Sequence, residues 1–246
     1  EDSRTHHIDL LLDGDSFDTK SRDELGILEA IMKGGYPELQ KITDKDNRSI
    51  WLSSYIATYI ERDVRDIGEI RDLDAFRRVI AMIAPHNGSI INITDISKIA
   101  RVNQKTLENH LSLLKAIYQI TELKPYFKNI QKQSIKSPKI YMNDSAVLCH
   151  LLNINDIKKL KSSEYFGMVL ESYIFSEILK NISVYEDRVG LYYYRTLGKD
   201  EIDFIIEVDD KIIAIEVKST KTANLTLAKT IKEFKKDMGE HFLKGY

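Results

Sequence analysis

The chain has 246 residues, with 36 Lys and Arg against 38 Asp and Glu, 43% hydrophobic residues and a single cysteine. A formal net charge of −2 gives no global pull toward nucleic acid, so any such binding must come from a local patch. Cys149 alone excludes a disulfide framework or a cysteine-based zinc site and fits a reducing cytoplasm, and no apolar run approaches the roughly 18–20 residues of a membrane span.

Residues 1–20 are polar apart from a short apolar run at 8–12. Leu25, Leu28 and Ile31 recur at helical spacing, which predicts a helix over 22–33 stopped by Gly34-Gly35, with Tyr36-Pro37-Glu38 as a turn. From 47 to 67, Trp51, Tyr55, Ile56, Tyr59, Ile60 and Val64 form the stripe of a long amphipathic helix. That spacing makes the aromatic stripe a packed face rather than a base-stacking surface. Phe76, Val79, Ile80 and Ile83 predict a further helix over 73–83, ended by Pro85 and Gly88.

A short strand is expected at 89–93, then a helix capped by Thr94 or Asp95, a turn at Val102-Asn103-Gln104 and a second helix over 106–120. Two strands at 120–125 and 139–143 flank a basic loop, which completes a winged-helix order. Between Arg101 and Lys139 the cations outnumber the acids by six, the pattern of a phosphate-contacting patch. Asn103, Gln104, Lys105 and Asn109 at the start of the second helix would face a groove, and Lys128, Lys132 and Lys136 would form the wing. The alternative is a protein-interaction module with a solvated lysine loop. Asp144 caps a short helix through Leu152, and 153–163 reads as a linker.

The pattern then changes to a helix over 166–182, strands at 190–195, 202–208 and 211–218, and a helix over 225–238. On the third strand Glu216 and Lys218 share one face while Ile215 and Val217 bury on the other. Asp203 interrupts an apolar strand where an acid needs a partner. Paired carboxylates on adjacent strands can hold Mg²⁺, with Lys218 placed to position water or to stabilise charge on phosphate. The bland alternative is a solvated surface ion pair.

This arrangement resembles the PD-(D/E)xK nuclease family: Asp203 matches its first acid, Glu216-Val217-Lys218 its triplet, and Glu171 its helical acid, although Ile202 stands where the naming proline would be. The resemblance implies catalytic roles for Asp203, Glu216 and Lys218 and a Mg²⁺ site of Glu171, Asp203 and Glu216.

Taken together, Gly34-Gly35-Tyr36-Pro37-Glu38, the Trp51 stripe with Glu61-Arg62-Asp63-Val64, the winged-helix order, Tyr194-Arg195-Thr196 and the strand acids are similar to the C-terminal half of prokaryotic AAA-type ATPases that carry an accessory domain of unknown function. No Gly-x-x-x-x-Gly-Lys-Ser/Thr loop is present, so ATP would bind only through a motor domain outside this chain. Glu1 stands where an initiator Met would, and the chain closes soon after a helical pattern; a piece of a longer protein is expected, cut at both ends.

The expected fold is therefore α+β multidomain: a helical region over 1–70 with a remnant of the motor, a winged helix over 71–152, and a restriction-endonuclease-like domain over 165–246, truncated at its C-terminus. The expected function is that of a DNA-associated, cytoplasmic accessory region with a Mg²⁺-dependent phosphodiesterase site. The alternative is a non-catalytic region that holds a protein partner on a degenerate nuclease fold.

Overall fold

The structure, a computed structural model, describes residues 24–68, 72–127, 137–196, 200–219 and 225–246. They form a mixed α/β chain that separates into two compact units, a helical one with 24–122 and 138–173 and a sheet one that takes the described residues of 123–137 and 174–246. The expected remnant at 1–20 and the wing residues Lys128, Lys132 and Lys136 lie outside the described residues.

In the helical unit, α1 (Glu24–Lys33) ends where Gly34 takes φ 61° and returns its N–H to the Ala30 carbonyl. A short helix α2 (Pro37–Lys41) follows where a turn is expected, because a proline in the first helical turn forfeits no intrahelical hydrogen bond. Asp44 caps α3 (Lys45–Tyr55), which continues through a π-helical stretch, Ile56–Ile60, into α4 (Glu61–Gly68). The expected long helix is thus present with a widened turn inside it. Trp51 and Tyr55 stack at 5.2 Å beside Tyr36, a packed face as its spacing requires.

Helix α5 (Leu73–Ile83) buries Phe76, Val79, Ile80 and Ile83. Strand β1 is shorter than expected, only Ser89–Ile90, because Asn92 caps α6 (Ile93–Ala100) by accepting the Thr94 and Asp95 N–H groups; the cap is therefore neither Thr94 nor Asp95. Arg101, in the left-handed region, closes α6, and Asn103 caps α7 (Gln104–Ala116). Strand β2 (Ile120–Pro125) begins in this unit and ends in the other. Strand β3 (Lys139–Met142) pairs antiparallel with β1, Ser89 opposite Ile140. Asp144 caps α8 (Ser145–Leu151).

The expected linker contains a helix, α9 (Ile157–Ser162): Asp156 caps it and Leu160, fully buried, anchors it. One cluster gathers Leu28, Ile31, Phe76, Leu107, Val147 and Val169, so the expected boundary near residue 70 does not divide the core.

Helix α10 (Phe166–Ile182) starts in the helical unit and ends in the sheet unit. There β4 (Val189–Arg195), β5 (Glu201–Val208) and β6 (Lys211–Ile215) form an antiparallel meander, followed by α11 (Leu225–Met238) and β7 (Phe242–Gly245). The end of β2 joins β4 in parallel, and β7 joins β6 in parallel. Ile206, Val208 and Ile213 pack with Ile178 and Ile182 of α10, and Ile202, Ile205, Ile212 and Ala214 pack with Phe234 and Met238 of α11. Strand β7 is an addition to the expected elements; alternation of half-buried Phe242 and Lys244 with exposed Leu243 and Gly245 is its signature. Among the described residues no helix is long and apolar enough to cross a membrane.

Candidate functional site

The local departure of the meander from regular pairing falls at Asp203. Tyr192 faces Ile205 and Tyr194 faces Ile202, so the single Tyr193 on β4 opposes two residues of β5, Asp203 and Phe204. This β-bulge explains why Ile202 and Ile205, three residues apart, enter the same apolar cluster. On the other side of β5 the register is regular, Phe204 opposite Ile215, and one step further it sets Asp203 opposite Glu216.

Glu216 lies just past the end of β6, which stops at Ile215 rather than running to Lys218. The reason is a side chain from the neighbouring strand: the Asp203 carboxylate (Oδ2) accepts the Val217 N–H at 2.8 Å, replacing a strand carbonyl as its partner. The Glu216 N–H still donates to the Tyr246 carbonyl, and the Tyr246 N–H to that of Ala214, so the backbone alongside β7 stays fixed. Asp203 is buried at 8% exposure.

The Glu216 side chain is only 9% exposed, and its Oε1 lies 2.7 Å from Lys218 Nζ, whose own side chain is 47% exposed. Glu216 Oε2 is buried and has no hydrogen-bond partner among the described residues. A carboxylate oxygen in that state costs on the order of 1–3 kcal/mol. Burial pushes the Glu216 carboxyl above its ordinary value; Lys218 and, more weakly, the Asp203 backbone N–H oppose the rise, and the charge of Asp203 adds to it. A merely solvated Glu-x-Lys pair would have neither the burial nor the orphan oxygen.

Glu171 sits on the part of α10 that belongs to the helical unit. Its Oε1 accepts the Tyr141 hydroxyl and lies 3.6 Å from Lys139 Nζ. Among the described residues, no three His, Cys, Asp or Glu side chains form a group that could hold a metal. Mg²⁺ is commonly held by one or two carboxylates and completes its shell with water, so the facing pair, with one oxygen unsatisfied, suits such a hard cation.

On α7, Asn103, Gln104, Lys105 and Asn109 are all exposed. Asn103 is committed to its cap on Thr106, and Gln104 donates to the Thr94 hydroxyl at 3.0 Å. Lys105 and Asn109, one turn apart, share a face and make no side-chain hydrogen bond among the described residues. The expected cationic excess shrinks by one, since Lys139 is buried beside Glu171; Lys115 pairs with Glu122 at 2.8 Å, an acid already counted in the balance. Sequence reading missed this burial because Lys139 follows a run of lysines; the strand residues Ile140-Tyr141-Met142 after it are the signal that it enters the core.

Residues 166–246 match a domain of unknown function, DUF4143. The chain is 27% identical over 195 residues to Uncharacterized protein Rv2008c of Mycobacterium tuberculosis, a match covering 79% of this chain and 43% of that protein. Uncharacterized protein Mb2031c of Mycobacterium bovis gives the same figures. Uncharacterized protein MJ1544 of Methanocaldococcus jannaschii is 24% identical over 188 residues, covering 74% of this chain and 40% of that protein. The chain thus spans about two fifths of the length of the curated relatives it matches. No solved structure matches. Residues 25–158, more than half of the chain, match a further domain of unknown function, DUF8612, and the chain belongs to that family.

Proposed function

We propose that this chain is the DNA-associated accessory region of a AAA-type ATPase and that its sheet unit carries a metal-dependent phosphodiesterase site at Asp203, Glu216 and Lys218. The observation that carries the reading is the buried, partnerless Oε2 of Glu216 set opposite Asp203, with Lys218 Nζ 2.7 Å from the other oxygen. The element order α10-β4-β5-β6-α11-β7 supports a restriction-endonuclease-like fold, and α5-β1-α6-α7-β2-β3 with β1 paired to β3 supports a winged helix. Relatives more than twice as long as the matched stretch leave room for a motor domain.

In this reading Asp203 and Glu216 hold a Mg²⁺ ion, which when bound would polarise a phosphodiester and lower the pKa of water. Asp203 is held in a fixed direction by the Val217 N–H. Lys218, tethered to Glu216 yet half exposed, brings a cation to the site's edge, where a phosphate oxygen would gain charge. Lys105 and Asn109 on α7 would contact duplex DNA.

The second reading, a degenerate nuclease fold that holds a protein partner, draws on Glu171, whose charge Lys139 and Tyr141 already answer. The test is plasmid nicking in Mg²⁺ or Mn²⁺ by the wild-type chain and by Lys218→Met. Metal-dependent nicking lost in the variant supports the phosphodiesterase. A wild-type chain that neither binds nor nicks DNA with either metal favours the partner-holding region.

A further inference from the structure

The helical unit contains a cavity of about 160 Å³ walled by α3, α8, α9 and the segment between α8 and α9. Its lining includes three cations, Lys45, Arg48 and Lys159, and no carboxylate. Arg48 is half-buried, and among the described residues its guanidinium has neither an ion pair nor a hydrogen bond. Ser49, Asn153 and Asn155 add neutral donors to the same wall. The acids Glu29 and Asp156 line an adjoining hollow that Lys45 and Arg48 also border, and the charge of Asp156 acts on Lys45 and Lys159.

Three like charges around one partly enclosed space repel one another; the two acids of the adjoining hollow do not line the space itself, and the half-buried guanidinium of Arg48 has no direct partner among the described residues. An anion would relieve both, and the planar fork of Arg48 is matched to two oxygens of a tetrahedral phosphate, with the lysines as point charges. We propose that this cavity binds the phosphate group of a small ligand, either free phosphate or a phosphate monoester. The site lies wholly within the helical unit and uses none of Asp203, Glu216 or Lys218, so it stands or falls independently of the phosphodiesterase reading.

The experiment is calorimetric titration of inorganic phosphate, and separately of adenosine monophosphate, into the 246-residue chain at constant ionic strength. Arg48→Gln and Lys159→Ala are titrated alongside, and Lys180→Ala on α10 serves as a charge-matched control. Circular dichroism verifies that each variant is folded; Lys159 is exposed, so its replacement keeps the test valid should Arg48→Gln unfold. Binding that weakens at least about tenfold in both cavity variants, or in Lys159→Ala alone if the other unfolds, and not in the control supports the site. Tighter binding of the nucleotide would assign it to a phosphate monoester, and equal or weaker binding to free phosphate. No binding of either probe, or binding that the cavity variants leave unchanged, overturns the proposal.

Discussion

Asp144 in the helical unit and Glu216 in the sheet unit are both acids held against backbone, yet they are treated differently. Asp144 Oδ1 accepts the N–H groups of Ala146 and Val147, and Oδ2 accepts that of Gly35 at 2.7 Å. Both oxygens are satisfied, and the groups they satisfy are a helix start and the Gly-Gly turn after α1. Glu216 has one oxygen paired with a half-exposed lysine and the other buried with no hydrogen-bond partner among the described residues. A carboxylate whose acceptors are all met is holding the fold together; one left short is being held by the fold, at a cost, for something else. The difference separates a structural acid from a functional candidate without reference to activity.

Four substitutions would break or sharpen that contrast. The largest effect is expected on the Asp144 side, where Gly34 has φ 61° and an added Cβ would lie 2.5 Å from Asp144 Oδ1. Gly34→Ala should therefore lower stability by about 3 kcal/mol or more in a urea melt, and a variant of wild-type stability would remove Asp144 from its structural role. Asp203→Ala should cost about 2 kcal/mol, since it frees the half-buried Val217 N–H just past β6 as well as removing a carboxylate.

Glu216→Gln should act in the opposite direction and raise stability at pH 7 by about 1 kcal/mol, because it removes a buried charge that the fold strains to keep. The sign follows from the raised carboxyl: between its ordinary and its folded value the native state holds a proton that the unfolded chain has lost, so stability falls as pH rises through that window. The gain from Glu216→Gln should thus be complete above the raised value and vanish below the ordinary carboxylate range, which paired thermal melts across pH would reveal. A gain independent of pH would point to packing instead. Lys218→Met should cost no more than about 1 kcal/mol by thermal melt, because the lysine side of the ion pair is half exposed while Glu216 is not, and should remove any metal-dependent nicking.

Much of this arrangement could be read from residue order. The meander and its flanking helices follow from apolar runs such as Ile202 to Val208 beside the helical spacing of α10, and the acids stand out because they interrupt those runs. What escaped reading depends on long-range partners. Val217 N–H finds Asp203, fourteen residues away, and that contact ends β6 early. Strand β7 is too short to declare itself until β6 lies beside it. Lys139 is expected at a strand start within a cationic patch, and nothing near it in the chain announces its burial beside Glu171. Helix α9 was hidden because four residues of 153–163 are Lys or Asp, and its buried anchor, Leu160, reads as apolar noise in a linker.

The most direct test of the functional acid is calorimetric titration of Mn²⁺ and Mg²⁺ into the wild-type chain and into Glu216→Gln. The account predicts saturable binding by the wild type that Glu216→Gln loses, even though that variant is the more stable protein at pH 7. Equal binding by both, or none by the wild type, would contradict the claim that the orphaned oxygen of Glu216 is kept for a metal.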